Sequence, residues 1–177
     1  MGFHAIGDRA VEMALDAYNT AEPAWTKVLF APWYTKGKNV HGEAVPTQNT
    51  DPRPRIEHSQ VLDAPDFDRY KQLGVIASMQ PSHLLTDMAW AEQRLGHDRA
   101  RYSYAWKSFL DHGVPLAFGT DYPVEPITPF RGIYCAVTRQ NEAGTQTFFP
   151  EERLTIAQAL FAYTQGSAYA EDRKSVV

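Results

Sequence analysis

One short apolar run in the chain ends abruptly in a turn: Val114-Pro115-Leu116-Ala117-Phe118-Gly119-Thr120-Asp121-Tyr122-Pro123. Apolar runs of this length, bounded by turn residues, are typical of strands buried in a parallel sheet. The carboxylate of Asp121 would then emerge just past the end of the strand, where α/β proteins place their functional groups. On this stretch alone, however, a turn or helix-capping aspartate is the simpler interpretation.

Strand and helix patterns alternate on both sides of this run. The predicted strands end at His4, at His58 and at Met79, before the apolar run itself. Helical spacing of apolar residues, with Gly or Pro at the boundaries, predicts helices at about 8–18, 63–73, 86–95, 104–112, 129–138 and 155–170. Such alternation implies βαβ units around a parallel sheet, and therefore an α/β fold.

Composition excludes several classes of protein. The 177 residues carry a net charge of −4 and are 44% hydrophobic, which allows one domain with a core and gives no reason to expect nucleic acid or an anionic membrane as partner. No apolar stretch approaches membrane-spanning length, and the N-terminus lacks a signal-peptide pattern. The single cysteine, Cys135, lies among apolar residues. We therefore expect a soluble, cytoplasmic protein.

The stretch from about 21 to 53 interrupts the regular pattern. It contains four prolines and two glycines, a density that excludes one continuous helix. We predict a long irregular insertion here. Loops of this length within a compact domain are usually functional or disordered.

Three predicted strand ends carry side chains that can bind metal: His4, His58 and Asp121. Each histidine alone is more simply a structural residue. Neighbouring parallel strands lie about 4.8 Å apart, so groups at successive strand ends can converge on one ion. Two imidazoles and a carboxylate suit Zn²⁺ or a similar divalent metal.

Four motifs in the chain, taken in order, resemble the amidohydrolase superfamily. They most resemble its amidohydrolase-3 branch of metal-dependent hydrolases, which includes N-substituted formamide deformylase. The motifs are His4-Ala5-Ile6-Gly7-Asp8, Arg55-Ile56-Glu57-His58, Gln80-Pro81-Ser82-His83 and Gly119-Thr120-Asp121. Each is weak alone, whereas four in the family's order are fairly specific. The segment from 154 to 160 also resembles part of the family's last barrel helices.

The resemblance implies strands 5–8 of a (β/α)₈ barrel with their helices. His4 would end strand 5, His58 strand 6 and Asp121 strand 8, and in the family these residues bind the metal. The aspartate also accepts the proton of the attacking water. His83, in the loop after strand 7, would contact the substrate or support the ligands, although a polar loop residue is an equally good interpretation.

Two neighbouring acidic residues are expected to have structural roles. Glu57 points away from His58 in a regular strand, so we predict a structural ion pair. Asp87 is predicted to cap a helix.

The resemblance implies a hydrolase acting on non-peptide, amide-type carbon–nitrogen bonds of a small-molecule substrate. The chain departs from the family because no two of its histidines are separated by a single residue, whereas family members carry a His-x-His pair on strand 1. A whole barrel takes about 250 residues, so we expect the C-terminal half of such a hydrolase. The alternative is a catalytically incompetent fragment that self-associates through its open barrel edges.

Overall fold

The computed structural model describes residues 2–28 and 53–171, of which residues 22–28 are described by their backbone alone. Four strands form one parallel sheet in the order β1 (Gly2–Ala5), β2 (Arg55–His58), β3 (Ile76–Met79) and β4 (Leu116–Phe118). The predicted α/β class with a parallel sheet is confirmed. Most of the predicted insertion, residues 29–52, lies outside the described residues.

Helical segments connect the strands and follow the last one. In chain order they are α1 (Asp8–Val28), α2 (Asp66–Leu73), α3 (His83–Asp87), α4 (Ala91–Leu95), α5 (His97–Ala100), α6 (Trp106–Asp111), α7 (Phe130–Thr138), a 3₁₀ turn (Pro150–Glu152), α8 (Ile156–Phe161), a π-helical turn (Ala162–Gly166) and α9 (Ser167–Ala170). Within the described ranges, no helix has the length and apolar character needed to cross a bilayer.

Alternate residues of the strands enter the main hydrophobic core. Ile56, Met79 and Phe118 are buried there among apolar side chains of the helices. The ring of Trp106, in α6, meets that of Phe118 edge-on, with 5.9 Å between the ring centroids. Each such side chain contributes about 1.5–3 kcal/mol when fully buried, so this core is the main source of stability.

Several of the intervening strand residues carry polar groups, whereas Ile76 and Ala117 pack with Ala170 in a smaller apolar cluster. Glu57 forms an ion pair with Arg55 at 2.5 Å and accepts a hydrogen bond from the hydroxyl of Ser78 on the neighbouring strand. In the register of the sheet, Glu57 stands beside Ser78 on one side and His4 on the other. The predicted structural ion pair of Glu57 is therefore confirmed.

The outer edge of β4 is covered by the C-terminal helical segment. Pro115 and Gly119 bond to β3, so by alternation the backbone groups of Leu116 and Phe118 face away from it. The hydroxyl of Ser167 donates to the carbonyl of Phe118 at 2.7 Å. A Cβ atom at Gly166 would lie 2.2 Å from the carbonyl oxygen of Leu116, so only glycine allows this approach.

Two boundaries differ from the sequence-based expectation. Helix α1 continues to Val28, well into the stretch predicted to be irregular, because one proline at position 23 removes a single hydrogen bond without ending the helix. The helix predicted at 86–95 is divided into α3 and α4. Asp87 is the last residue of α3, so the prediction that it caps a helix start was wrong.

Candidate metal centre

The ends of β1 and β2 bring two imidazole rings into contact. His4 is the third residue of β1 and His58 the last residue of β2. The Nδ1 atom of His4 lies 3.1 Å from the Nε2 atom of His58, which is hydrogen-bonding distance. In the register of the sheet His4 pairs with Glu57 and His58 with Ala5, so the two rings meet because the backbone bends at His58.

A sharp bend after β2 fixes His58 in place. His58 and Ser59 both adopt left-handed backbone conformations, with φ of 74° and 47°. The hydroxyl of Ser59 donates to the carbonyl of Ile56, and its backbone N–H donates to the carbonyl of Ala5 on the adjoining strand. Burial lowers the pKa of His58 below its usual value, so the ring is neutral at pH 7, the form that binds metal.

His83 and Asp121 approach the same point from the next two strands. His83 opens α3 after β3, and Asp121 follows β4 in a left-handed conformation with φ of 58°. The Nε2 atom of His83 lies 3.8 Å from an oxygen of Asp121, and its ring stacks beside that of His58 with centroids 5.9 Å apart.

Three of these side chains together can hold a metal ion. His58, His83 and Asp121 each offer a ligand atom, and these atoms lie within 4.8 Å of one another. Nδ1 of His58 and Nε2 of His83 are buried without a hydrogen-bond partner. Buried polar atoms without partners are costly, and two imidazoles with a carboxylate match the ligands of divalent metals. The residues therefore fit a divalent metal.

The cluster differs in one respect from the ligand set drawn from the sequence. His4, His58 and Asp121 were predicted as ligands, with His83 as an outer contact. All four residues lie at the C-terminal edge of the sheet, but the mutually close group includes His83, and His4 contacts it through His58. The role of each residue in metal binding or catalysis stays a prediction.

One group of residues beside the cluster was missed by sequence reasoning. Gln60, Asp87 and Tyr104 form a hydrogen-bonded set that joins the loop after His58 to α3, the helix that His83 opens. They are separated by 27 and 17 residues along the chain, and no local pattern pairs them.

Comparison with known proteins identifies the relatives of this chain. The model of the amidohydrolase family matches residues 1–175. The chain is 34% identical over 96% of its length to Protein LONG AFTER FAR-RED 3 of Arabidopsis thaliana, and 26% identical over 99% to N-substituted formamide deformylase of Arthrobacter pascens. It spans only 26% and 28% of the lengths of these two relatives.

The fold has a close counterpart among solved structures. An uncharacterized metal-dependent hydrolase from Pyrococcus furiosus matches 96% of the chain with a TM-score of 0.68 and 32% identity, the match covering 28% of that protein. The family match covers nearly the whole chain. The four motifs and the parallel sheet with its His and Asp cluster are consistent with that match. The chain belongs to the amidohydrolase family of metal-dependent hydrolases.

Proposed function

We propose that this chain supplies the metal ligands and the proton-accepting carboxylate of a hydrolase that cleaves amide-type carbon–nitrogen bonds in small molecules. The convergence of His58, His83 and Asp121, with His4 in contact with His58, carries this proposal. The choice of bond is supported by the relative named N-substituted formamide deformylase. Because the chain spans about a quarter of its relatives' lengths, the activity is proposed for the site and its surroundings together.

The architecture that we infer is part of a (β/α)₈ barrel. The four strands are parallel and follow one another in chain order, and the candidate ligands lie at or just beyond their carboxyl ends. That arrangement is the one in which such barrels build active sites. In this interpretation β1 to β4 correspond to barrel strands 5 to 8.

The metal that we propose is Zn²⁺. His4, His58 and Asp121 would hold it, with His83 either joining them or contacting the substrate. Imidazole and carboxylate ligands are the combination found in catalytic zinc sites. When bound, such an ion supplies Lewis-acid activation of water and of the scissile carbonyl.

Asp121 is the residue that we assign to proton transfer. Its side chain is about one-third exposed, so water can reach it, and one of its oxygens lies 3.8 Å from His83. The carboxylate accepts a proton as water attacks the carbonyl carbon, and it returns that proton to the nitrogen as the carbon–nitrogen bond breaks. The products are a carboxylic acid and an amine.

A graft into a relative tests the proposal. The matching segment of the Arthrobacter pascens deformylase is replaced by this chain, and hydrolysis of an N-substituted formamide is measured. We expect activity that falls about 10²–10⁴-fold on Asp121→Asn, the range typical of a lost general base. The exposed Asp98 in α5 gives the matched control, Asp98→Asn, which leaves the rate unchanged. Equal rates for the graft and its Asp121→Asn variant contradict the assignment.

A second proposal concerns the chain by itself: a non-catalytic protein that self-associates. In the described part of the chain, β1 pairs with β2 alone. The side chains of Phe3 and Ile6, in and beside β1, are exposed. An exposed strand edge with apolar neighbours favours pairing with another chain.

A further inference from the structure

A polar cluster, buried at two of its three residues, lies beside the candidate metal centre. Its members are Gln60, two residues after His58, Asp87, at the end of the helix that His83 opens, and Tyr104, which precedes α6. The hydroxyl of Tyr104 donates to the carboxylate of Asp87. The amide nitrogen of Gln60 donates to the hydroxyl oxygen of Tyr104 and, at 3.3 Å, to the same carboxylate oxygen.

One carboxylate oxygen of Asp87 accepts from both of the other members of the cluster. The carboxylate of Asp87 can only accept, so the groups facing it must be the hydroxyl hydrogen of Tyr104 and the amide nitrogen of Gln60. Burial and the nearby carboxylate raise the pKa of Tyr104 well above its usual value, which keeps the phenol protonated as a donor. Satisfied buried networks of this kind fix one arrangement of the groups that they join.

The backbone holds the cluster at the loop that follows β2. The N–H of Tyr104 donates to the carbonyl of Gln60 at 2.7 Å, and Val61 pairs with Ser103 in an antiparallel bridge. Tyr104 adopts a left-handed backbone conformation with φ of 54°, which is unfavourable for a bulky residue. Its backbone is therefore held in place by the groups that bond to it.

Arg139 supplies these partners from the opposite side. Its guanidinium is fully buried and donates to the carbonyls of Tyr104 at 2.6 Å and Phe148 at 2.8 Å. It also lies 4.4 Å from the centre of the Trp106 ring. A guanidinium bound to carbonyls and an aromatic face fixes the backbone around Tyr104 without neutralising Asp87.

Asp87 connects the cluster to His83. The two residues are four apart in α3, and the hydroxyl of Thr86 donates to the carbonyl of His83 at 2.9 Å. A carboxylate at the C-terminal end of a helix gains nothing from the helix dipole, which favours cations there. Its stabilisation therefore comes from the cluster, and α3 is held where the cluster places it.

We infer that Gln60, Asp87 and Tyr104 are positioning residues that hold the imidazoles of His58 and His83 in the orientation of the candidate centre. This inference rests on the proposed function for its purpose, since an oriented pair of imidazoles serves a metal centre. The hydrogen bonds of the cluster form between protein groups alone and require no bound metal. The cluster acts through the loop after β2 on His58 and through α3 on His83.

Nitrogen NMR of the metal-free chain, labelled with ¹⁵N-histidine, tests the inference directly. Signals are assigned with single His→Gln variants. In the wild-type chain we expect one tautomer each for His58 and His83. Asp87→Asn and Tyr104→Phe should broaden or shift these two signals, while His97 and His112, outside the site, keep theirs and report an intact fold.

Tyr134→Phe is the matched control, because the Tyr134 hydroxyl donates one hydrogen bond, to the carbonyl of Asn141, away from the cluster. It should leave all four signals in place. Unchanged His58 and His83 signals in a folded Asp87→Asn or Tyr104→Phe chain overturn the inference, as do mixed tautomers in the wild type. If only one of the two variants unfolds, the histidine signals of the other variant decide the test. If both variants unfold, the cluster stabilises the fold as a whole, and this result also overturns the inference.

The outcome of this experiment is independent of the proposed function. A chain that neither binds metal nor supports hydrolysis in the graft contradicts the proposed function while leaving the histidine signals interpretable. A chain active in the graft, with His58 and His83 signals insensitive to Asp87 and Tyr104, refutes only the positioning role.

Discussion

The imidazoles of His4 and His58 lie at hydrogen-bonding distance, with Nδ1 of the first 3.1 Å from Nε2 of the second. One ring must donate its proton to the lone pair of the other. A nitrogen that donates or accepts such a proton cannot at the same time bind a metal, because ligation needs its free lone pair. Contact between the two rings and metal binding by these same two atoms are therefore competing states.

This competition leads to a first prediction, weak metal binding by the isolated chain. Zinc held by His4 and His58 through the two contacting atoms must displace that contact, and it must also order the partly exposed Asp121. We expect less than stoichiometric zinc after dialysis, measured by atomic absorption, and negligible hydrolysis of an N-acyl substrate. Residual binding should be lost in His58→Ala and kept in His112→Ala. Stoichiometric zinc retained with turnover would contradict this prediction.

The strands of the sheet could be predicted well from the sequence, because the residues that define each strand are adjacent in the chain. Runs such as 75–79 and 114–118 are apolar and bounded by Gly or Pro, and each contains an observed strand. Gly74 directly follows the helix predicted at 63–73, and it ends α2 in the left-handed conformation that glycine accepts most easily. Helix α1 extends past Pro23 to Val28, because a single proline within a helix removes one hydrogen bond, whereas the helix was expected to end before the proline-rich stretch.

Of the candidate site, only the residues at predicted strand ends could be identified from the sequence. His4 and His58 lie at or next to the last residues of their strands, and Asp121 lies three residues after β4, so their common edge could be inferred. The closer approach of His83 to His58 and Asp121 depends on how α3 turns after β3, which residue patterns do not encode. The cluster of Gln60, Asp87 and Tyr104 was invisible for the same reason, since tertiary packing alone brings it together.

A second prediction concerns self-association through β1. The edge of β4, first expected to be open, meets Gly166 and Ser167, so the free edge among the described strands is that of β1. We expect sedimentation to show species larger than the 20.0 kDa chain. Ile6→Lys should reduce association by placing charge beside that edge. The comparably exposed Ile156, in α8, provides the control Ile156→Lys, which should not. A compact monomer with a sharp cooperative melt would argue against association.

The close contact between Gly166 and β4 gives a third prediction. In Gly166→Ala the new methyl would lie 2.2 Å from the carbonyl oxygen of Leu116, so the helical segment must move away from the strand. We expect a loss of about 1–3 kcal/mol in the free energy of unfolding, the usual cost of overpacking. Gly7→Ala is the control, because a Cβ atom there meets nothing within 4 Å. Chemical denaturation measures both variants, and equal stabilities would show that the segment does not rest on β4.

The buried thiol of Cys135 gives a fourth prediction, on stability at high pH. Burial raises the pKa of Cys135 from 9.0 to about 12, so the folded chain keeps its proton where the unfolded chain loses it. The unfolded state then binds fewer protons between pH 9 and 12, and the free energy of unfolding falls as pH rises through that range, by at most about 1.4 kcal/mol per pH unit from this group. Stability below pH 9 is unaffected by this ionisation.

Cys135→Ala isolates the contribution of the thiol to that pH dependence. Tyr18, whose pKa burial raises to about 12, adds a slope of the same sign to wild type and variant alike, so the difference between the two comes from Cys135 and from the groups that its charge acts on, such as Arg139 and Tyr163. We expect urea denaturation to show a shallower fall in stability for Cys135→Ala between pH 9 and 11. Because alanine loses packing at a buried site, the comparison concerns slopes rather than absolute stabilities. Parallel curves would mean that the thiol ionises as readily in the folded chain as in the unfolded one.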